Sequence, residues 1–122
     1  MCPVDIKWAN RVLGQIVGRQ LSSVTFVQDY VQMSFDGPAV TAVTHPVVEA
    51  EGVAYRWDET GFRDQLCKRI AHIVTKAEII PDECVRIDFD DRAKISVSLL
   101  SQDYVAAEAV RFDASPQIWW VL

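Results

Sequence analysis

The sequence predicts an α+β fold in a single domain, in which two pseudo-repeated helix–β-meander halves pack into one mostly antiparallel sheet core. Three observations predict it. The stretch YVQMSFDG (30–37) returns in pattern as CVRIDFDD (84–91), each an apolar alternation ending in Phe-Asp before a turn. Ahead of each copy, apolar residues recur three and four apart, the spacing of one helical stripe. The chain has 122 residues, enough for one buried core and too few for two independent globular units.

Along the chain, Trp8, Val12, Leu13, Ile16 and Val17 form the first stripe and predict a helix from Trp8 to Leu21. Gly18 suits its C-terminus, and Gly14 weakens it by roughly 1 kcal/mol. SVTFVQ (23–28) and YVQMSFDG follow as strands, the second with Val31, Met33 and Phe35 on one face. Asp36-Gly37 turns the chain into PAVTAVTH (38–45), which His45-Pro46 closes because proline cannot donate to a ladder. VVEAEGVAYRW (47–57) offers one or two short strands around Glu51-Gly52. Asp58, Glu59 and Thr60 supply capping chemistry for a second helix, whose stripe is Phe62, Leu66, Ile70 and Ile73 or Val74.

Laying the second helix over the first aligns Leu13 with Leu66, Val17 with Ile70, Gly18 with Ala71, Arg19 with His72 and Leu21 with Val74. Val24 then falls on Ala77 and Phe26 on Ile79. After a one-residue insertion, Tyr30 to Phe35 matches Cys84 to Phe89, and KISVSLL (94–100) answers AVTAVTH. The repeat spans about 8–45 and 59–100 of a single domain, 1–122. A unit that cannot bury its apolar face alone can bury it against a second copy. The tail adds a short helical or irregular stretch around Ala106–Ala109, a turn at Ser115-Pro116 and a final strand over 117–122, QIWWVL.

Composition narrows function by exclusion. Half of the residues are hydrophobic and 24% are charged, as in ordinary folded proteins. Twelve basic residues stand against 17 acidic ones, a net charge of −5, with no basic cluster longer than Lys68-Arg69. Nucleic acid and anionic membrane surfaces are therefore not expected partners. No stretch approaches the roughly 18 apolar residues of a membrane span, and the N-terminus has no apolar run after its first charges, which together predict a cytoplasmic protein. Cys2, Cys67 and Cys84 lie far apart without a C-x-x-C pair, so reduced, mostly buried thiols are expected rather than a zinc site or disulfide framework.

No nucleophile motif and no phosphate loop is present, since the five glycines are scattered singly. The run DFDD with Arg92 offers oxygens to a cation, but Phe89 points away from Asp88 and Asp90, so a solvated hairpin end is the expectation and no metal or cofactor is predicted. His72 falls in the slot of Arg19 and reads as a polar helix-end residue. His45 with Glu49, Glu51 and Asp58 is the best acid–base set available for catalysis, although strand spacing scatters these groups unless a turn folds them together.

Four tryptophans, Trp8, Trp57, Trp119 and Trp120, are many for this length. Rings of this size fill cores and also anchor interfaces. Adjacent strand residues face opposite sides, so Trp119 and Trp120 must differ. Trp120, in phase with Ile118 and Leu122, is the expected core member. Trp119, in phase with Val121, is the expected interface residue.

The blocks IVGRQLSSVTFVQDYVQMSFDG and LCKRIAHIVTKAEI…VRIDFDDRAKISVSL, with the closing EAVRF…IWWVL, resemble a diffuse group of small uncharacterised bacterial proteins. Some of that group look like candidate immunity proteins of polymorphic toxin systems. The resemblance implies a fold and carries no catalytic signature. The function expected from all of this is a non-enzymatic protein–protein interaction module, immunity-like in role, acting on another protein or on itself as a homodimer. The alternative is a small-molecule-binding or hydrolytic protein using a cleft between the two halves.

Overall fold

In the computed structural model, which describes residues 4–122, Asp5 opens the first helix. Its side chain accepts hydrogen bonds from the backbone N–H groups of Lys7 (3.0 Å) and Trp8 (3.4 Å), satisfying two donors that a helix start leaves without partners. Helix α1 (Ile6–Leu13) buries Ala9, Val12 and Leu13. It stops earlier than the stripe predicts. Gly14–Ile16 tightens into a 3-10 turn that keeps Ile16 buried, while Val17 becomes extended and 44% exposed. Gly18 then takes φ = +87°, a conformation open to glycine at little cost, and the chain turns away.

Strands β1 (Ser23–Val27), β2 (Tyr30–Ser34) and β3 (Ala39–Ala42) form an antiparallel meander. The hairpin of β4 (Val47–Ala50) and β5 (Val53–Tyr55) turns at Glu51 and Gly52, both left-handed (φ 52° and 79°), as a two-residue hairpin loop requires. Helix α2 (Phe62–Cys67) starts from Gly61 at φ = +93°, where a Cβ would also lie 3.3 Å from the Tyr55 ring. The second meander is β6 (Val74–Ile80), β7 (Cys84–Phe89) and β8 (Lys94–Ser98), and the chain closes with β9 (Val110–Ser115) and β10 (Ile118–Val121).

Three expectations are corrected here. The second helix ends at Cys67, so Ile70 and Ile73 are exposed and Val74 begins a strand. The cause is tertiary: residues 70–74 bond across to residues 18–21, through Gly18 N–H to the Val74 carbonyl (2.8 Å), Ala71 N–H to Leu21 (2.8 Å), Val74 N–H to Arg19 (2.9 Å) and Leu21 N–H to His72 (3.1 Å). Residues 106–109 are irregular, one of the two forms expected, and a 3-10 turn occupies Ser101–Asp103, but VRFDAS becomes β9, a strand not among those expected from the sequence. The strands also make two five-stranded antiparallel sheets rather than one, in the orders β1-β2-β3-β9-β10 and β6-β7-β8-β4-β5.

Each meander is thus completed by a hairpin from the other part of the chain. The hairpin β4–β5 joins β8, and β9–β10 joins β3. The inner faces of both sheets share one core. Val31, Met33, Val40, Phe112 and Trp120 come from the first sheet, and Val48, Ile79, Val85, Ile87, Ile95 and Val97 from the second. Helix α1 packs on β6 and β9, and α2 on β1 and β4. At the β6 edge the Asn10 amide receives the Ile79 N–H (2.6 Å) and donates to the Ile79 carbonyl (3.3 Å), so the helix occupies hydrogen-bonding groups that an edge strand would leave open.

Candidate functional site

Three places on the molecule gather chemistry, and the predicted residues divide among them. The first is a groove of about 600 Å³ walled by His45, Pro46 and Val47 at the start of β4, by Arg56, Trp57 and Asp58 after β5, and by Glu83, Cys84, Ser96, Ser98 and Asp103 from the later half of the chain. His45 lies flat on Trp57, with ring centroids 4.4 Å apart and planes 9° from parallel. Trp57 in turn touches Phe62 (5.5 Å) and Phe26 (6.5 Å), which fixes this wall to α2 and β1.

Of the four acid–base candidates, the groove collects His45 and Asp58 only. Glu49 stands exposed on β4 in register with Lys94, and Glu51 sits in the β4–β5 turn beside Gln65, Lys68 and Arg69. An extended strand advances about 3.3 Å per residue, which puts Glu51 roughly 20 Å along the chain from His45. The turn carries the glutamate away. Ser98 donates to Asp103 (2.5 Å) rather than to a histidine. Burial pushes the Cys84 thiol above its ordinary pKa, with Glu83 and Glu78 adding to the rise and Arg86 opposing it. A thiol held protonated is a poor nucleophile.

The second place is the β7–β8 turn. His72, read in the sequence as a helix-end residue, there meets the acidic run: its Nδ1 lies 2.8 Å from Asp90 Oδ1 and its Nε2 3.6 Å from Asp91 Oδ2. One ligand atom from each of the three falls within a 4.8 Å cluster, so a cation is geometrically conceivable. The deciding residue is Arg69, only 6% exposed, whose Nη1 sits 2.6 Å from the same Asp91 oxygen. A cation at that oxygen would face a buried guanidinium and would have to displace it, leaving that charge without its partner. The cluster therefore ties the end of α2 to the turn. Its other members are accounted for: Asp91 Oδ1 accepts from the Ala93 N–H (3.1 Å), and the His72 hydrogen bond holds the Asp90 carboxyl below its ordinary pKa.

The third place is β10, the edge strand of the first sheet. Trp120 is 2% exposed, packs tilted against Phe112 with ring centroids 5.6 Å apart and donates its indole N–H to the Ala9 carbonyl (3.2 Å). Trp119 is 47% exposed on the opposite face. The two rings are inequivalent as the strand period requires, but Ile118 is exposed rather than in phase with Trp120, because the register shifts between Ile118 and Trp119. The Arg111 guanidinium lies 4.7 Å over the Trp119 ring and binds Asp113 through Nε and Nη2 at 2.9 Å each, which holds Arg111 firmly protonated and braces the ring on the sheet.

The Leu122 N–H donates to Val110 (2.9 Å) and the Val110 N–H returns the bond (3.3 Å). Bonded pairs alternate in antiparallel ladders, so Trp120 also bonds inward, and the N–H and C=O groups of Trp119 and Val121 point away from the sheet. The other edges differ. Asn10 takes Ile79 on β6, α2 packs on β1 with Arg63 over the Phe26 ring at 5.4 Å, and β5 is three residues long. No helix of the described residues is long and apolar enough to cross a membrane. No protein-family model, curated protein or solved structure matches the chain.

Proposed function

We propose that this chain is a non-enzymatic protein-interaction module, built from two pseudo-repeated halves, that makes contact through the edge carrying Trp119 and Val121. The observation that carries the reading is the exposure of Trp119. A large ring, braced by Arg111 and set on an edge with outward-pointing backbone groups, has the anatomy of an interface anchor.

The repeat is supported at three levels. The two sheet orders coincide when β1 to β5 exchange names with β6 to β10. The bonds between residues 18–21 and 71–74 come in pairs under the alignment of Gly18 with Ala71, Arg19 with His72 and Leu21 with Val74, and both Gly18 and Ala71 have positive φ. Asn10 against Ile79 and Arg63 against Phe26 are matching helix-to-strand contacts in the same alignment.

The net charge of −5 suits a basic partner, since complementary potentials raise encounter rates. The resemblance to candidate immunity proteins puts a toxin domain first among partners to try. Cys67 and Cys84 are free, the first exposed and the second half-buried where mostly buried thiols were expected, in keeping with a reducing, cytoplasmic setting.

Affinity capture from the native cell with wild type and Trp119→Glu tests the reading. A partner, or the chain itself, recovered by wild type and lost with the variant supports it, and identical recovery by both sinks it. The groove supports a second reading as a small-molecule site, because His45 and Asp58 converge there from separate segments. A small organic cation that binds wild type by titration calorimetry and fails to bind His45→Ala and Asp58→Asn would favour it.

A further inference from the structure

Building on the interaction reading, we propose that the occupant of the β10 edge is a second copy of this chain, paired β10 to β10 in antiparallel fashion across a twofold axis through Trp120. Trp119 and Val121 present the outward N–H and C=O groups of the strand, and a partner strand must meet those groups with its own. Centred on Trp120, the antiparallel arrangement sets Trp119 of each copy opposite Val121 of the other. Both pairs are then bonded, and all four groups on each strand find partners. Slipping by two residues retains only one bonded pair within the two strands. Every antiparallel register of two identical strands is twofold-symmetric, as an interface made of the same patch twice requires, and among them the one centred on Trp120 is the most fully bonded.

The side chains agree with this register. An aromatic ring opposite a β-branched residue is a favourable cross-strand pair, and it occurs twice here. Ile118–Val121 carries no charge, so nothing on the strand repels its copy. On the same face, Asp113 is in register with Trp119 and Arg111 with Val121. Each row across the seam runs Asp113, Trp119, then Val121 and Arg111 of the second copy. Opposite charges end every row, and no like charges face each other. The product is one continuous sheet of ten strands, five from each copy.

Sedimentation of the full chain tests this. At about 100 μM, where a dimer of micromolar Kd is nearly saturated, wild type should sediment at twice the chain's 13.8 kDa. Val121→Pro removes an outward donor, and Trp119→Glu and Val121→Lys change outer-face side chains. Each, with wild-type circular dichroism, should weaken self-association at least tenfold.

Mixing Trp119→Glu with Val121→Lys should restore a dimer, because one seam row becomes Glu opposite Lys and the other stays Trp opposite Val. A monomeric wild type overturns the proposal while leaving open contact with a different protein, which the capture experiment reads separately. A dimer that survives all three variants, or a mixture that stays monomeric, overturns it as well.

Discussion

Trp120 is where the fold is most exposed to a single substitution. The ring is 2% accessible, packed on Phe112 and tied to α1 through the Ala9 carbonyl, so it joins the last strand to the first helix. Replacing it with alanine removes about 150 Å² of buried apolar surface from a tryptophan's roughly 200 Å², worth about 4 kcal/mol at 25 cal/mol/Å². The lost indole hydrogen bond adds about 1 kcal/mol, and partial collapse of the cavity gives some back. We expect a net loss of about 4 kcal/mol for Trp120→Ala and about 2 kcal/mol for Trp120→Phe, which keeps most of the ring and loses the bond. Trp119→Ala should cost less than about 1 kcal/mol, the value of one exposed cation–π contact. Urea unfolding followed by circular dichroism, at protein concentrations low enough that the chain is monomeric, measures all three, provided the slopes match. A loss below about 2 kcal/mol for Trp120→Ala, or equal large losses at both positions, would refute the assignment of one ring to the core and the other to the surface.

Three further outcomes are expected. Ala71 sits at φ = +77°, where a Cβ costs about 1–2 kcal/mol, so Ala71→Gly should stabilise by about 0.5–1 kcal/mol after the entropy of the unfolded glycine is subtracted, whereas Gly18→Ala at φ = +87° should destabilise; thermal midpoints moving the other way would count against both. Asp91→Ala leaves the Arg69 guanidinium buried without its carboxylate and should cost about 2–3 kcal/mol, below the range for fully buried pairs because Asp91 is partly exposed, and a cost under about 1 kcal/mol would show that water reaches Arg69 freely. The Asp90 carboxyl titrates below its ordinary value of 3.8 in the fold, chiefly through His72, in a cluster that also holds Asp91 and Arg69. A depressed folded pKa gives stability that is present above the unfolded pKa and lost as pH falls through the folded one. The stability difference between wild type and Asp90→Asn should therefore be at full size at about pH 5 and shrink as the pH falls below 3.8. A difference that grows with acid would reverse the sign and the argument.

The meanders were legible because alternation reports which residues face a core: Val31 and Met33, like Val85 and Ile87, are buried at the predicted phase. Helix ends were not. Ile70 and Ile73 continue a perfect stripe, yet backbone bonds from Arg19 and Leu21 claim that segment, and no local pattern records a partner fifty residues away. Period alone also says nothing of which strand lies alongside, so the crossing of β4–β5 and β9–β10 to the opposite sheets was invisible. VRFDAS alternates Val110, Phe112 and Ala114 with Arg111, Asp113 and Ser115, which is a strand's own period, so β9 was legible there although it was not among the strands expected. For the candidate sites, the contrast between Trp119 and Trp120 follows from strand geometry and was readable. The approach of His72 to Asp90 depends on the left-handed turn at Ala71, a conformation that alanine does not advertise.

The exchanged hairpins also govern how the molecule must be made. During synthesis β1, β2 and β3 emerge first, but β3 keeps an open side until Val110–Val121 has left the ribosome, because no earlier segment pairs with it. The β4–β5 hairpin likewise waits for β8. Neither sheet can close from a contiguous piece of chain, so folding must wait for contacts of long sequence separation and be correspondingly slow. Until then the nascent chain displays the β3 edge, a surface fit to pair with a neighbouring copy at the wrong strand.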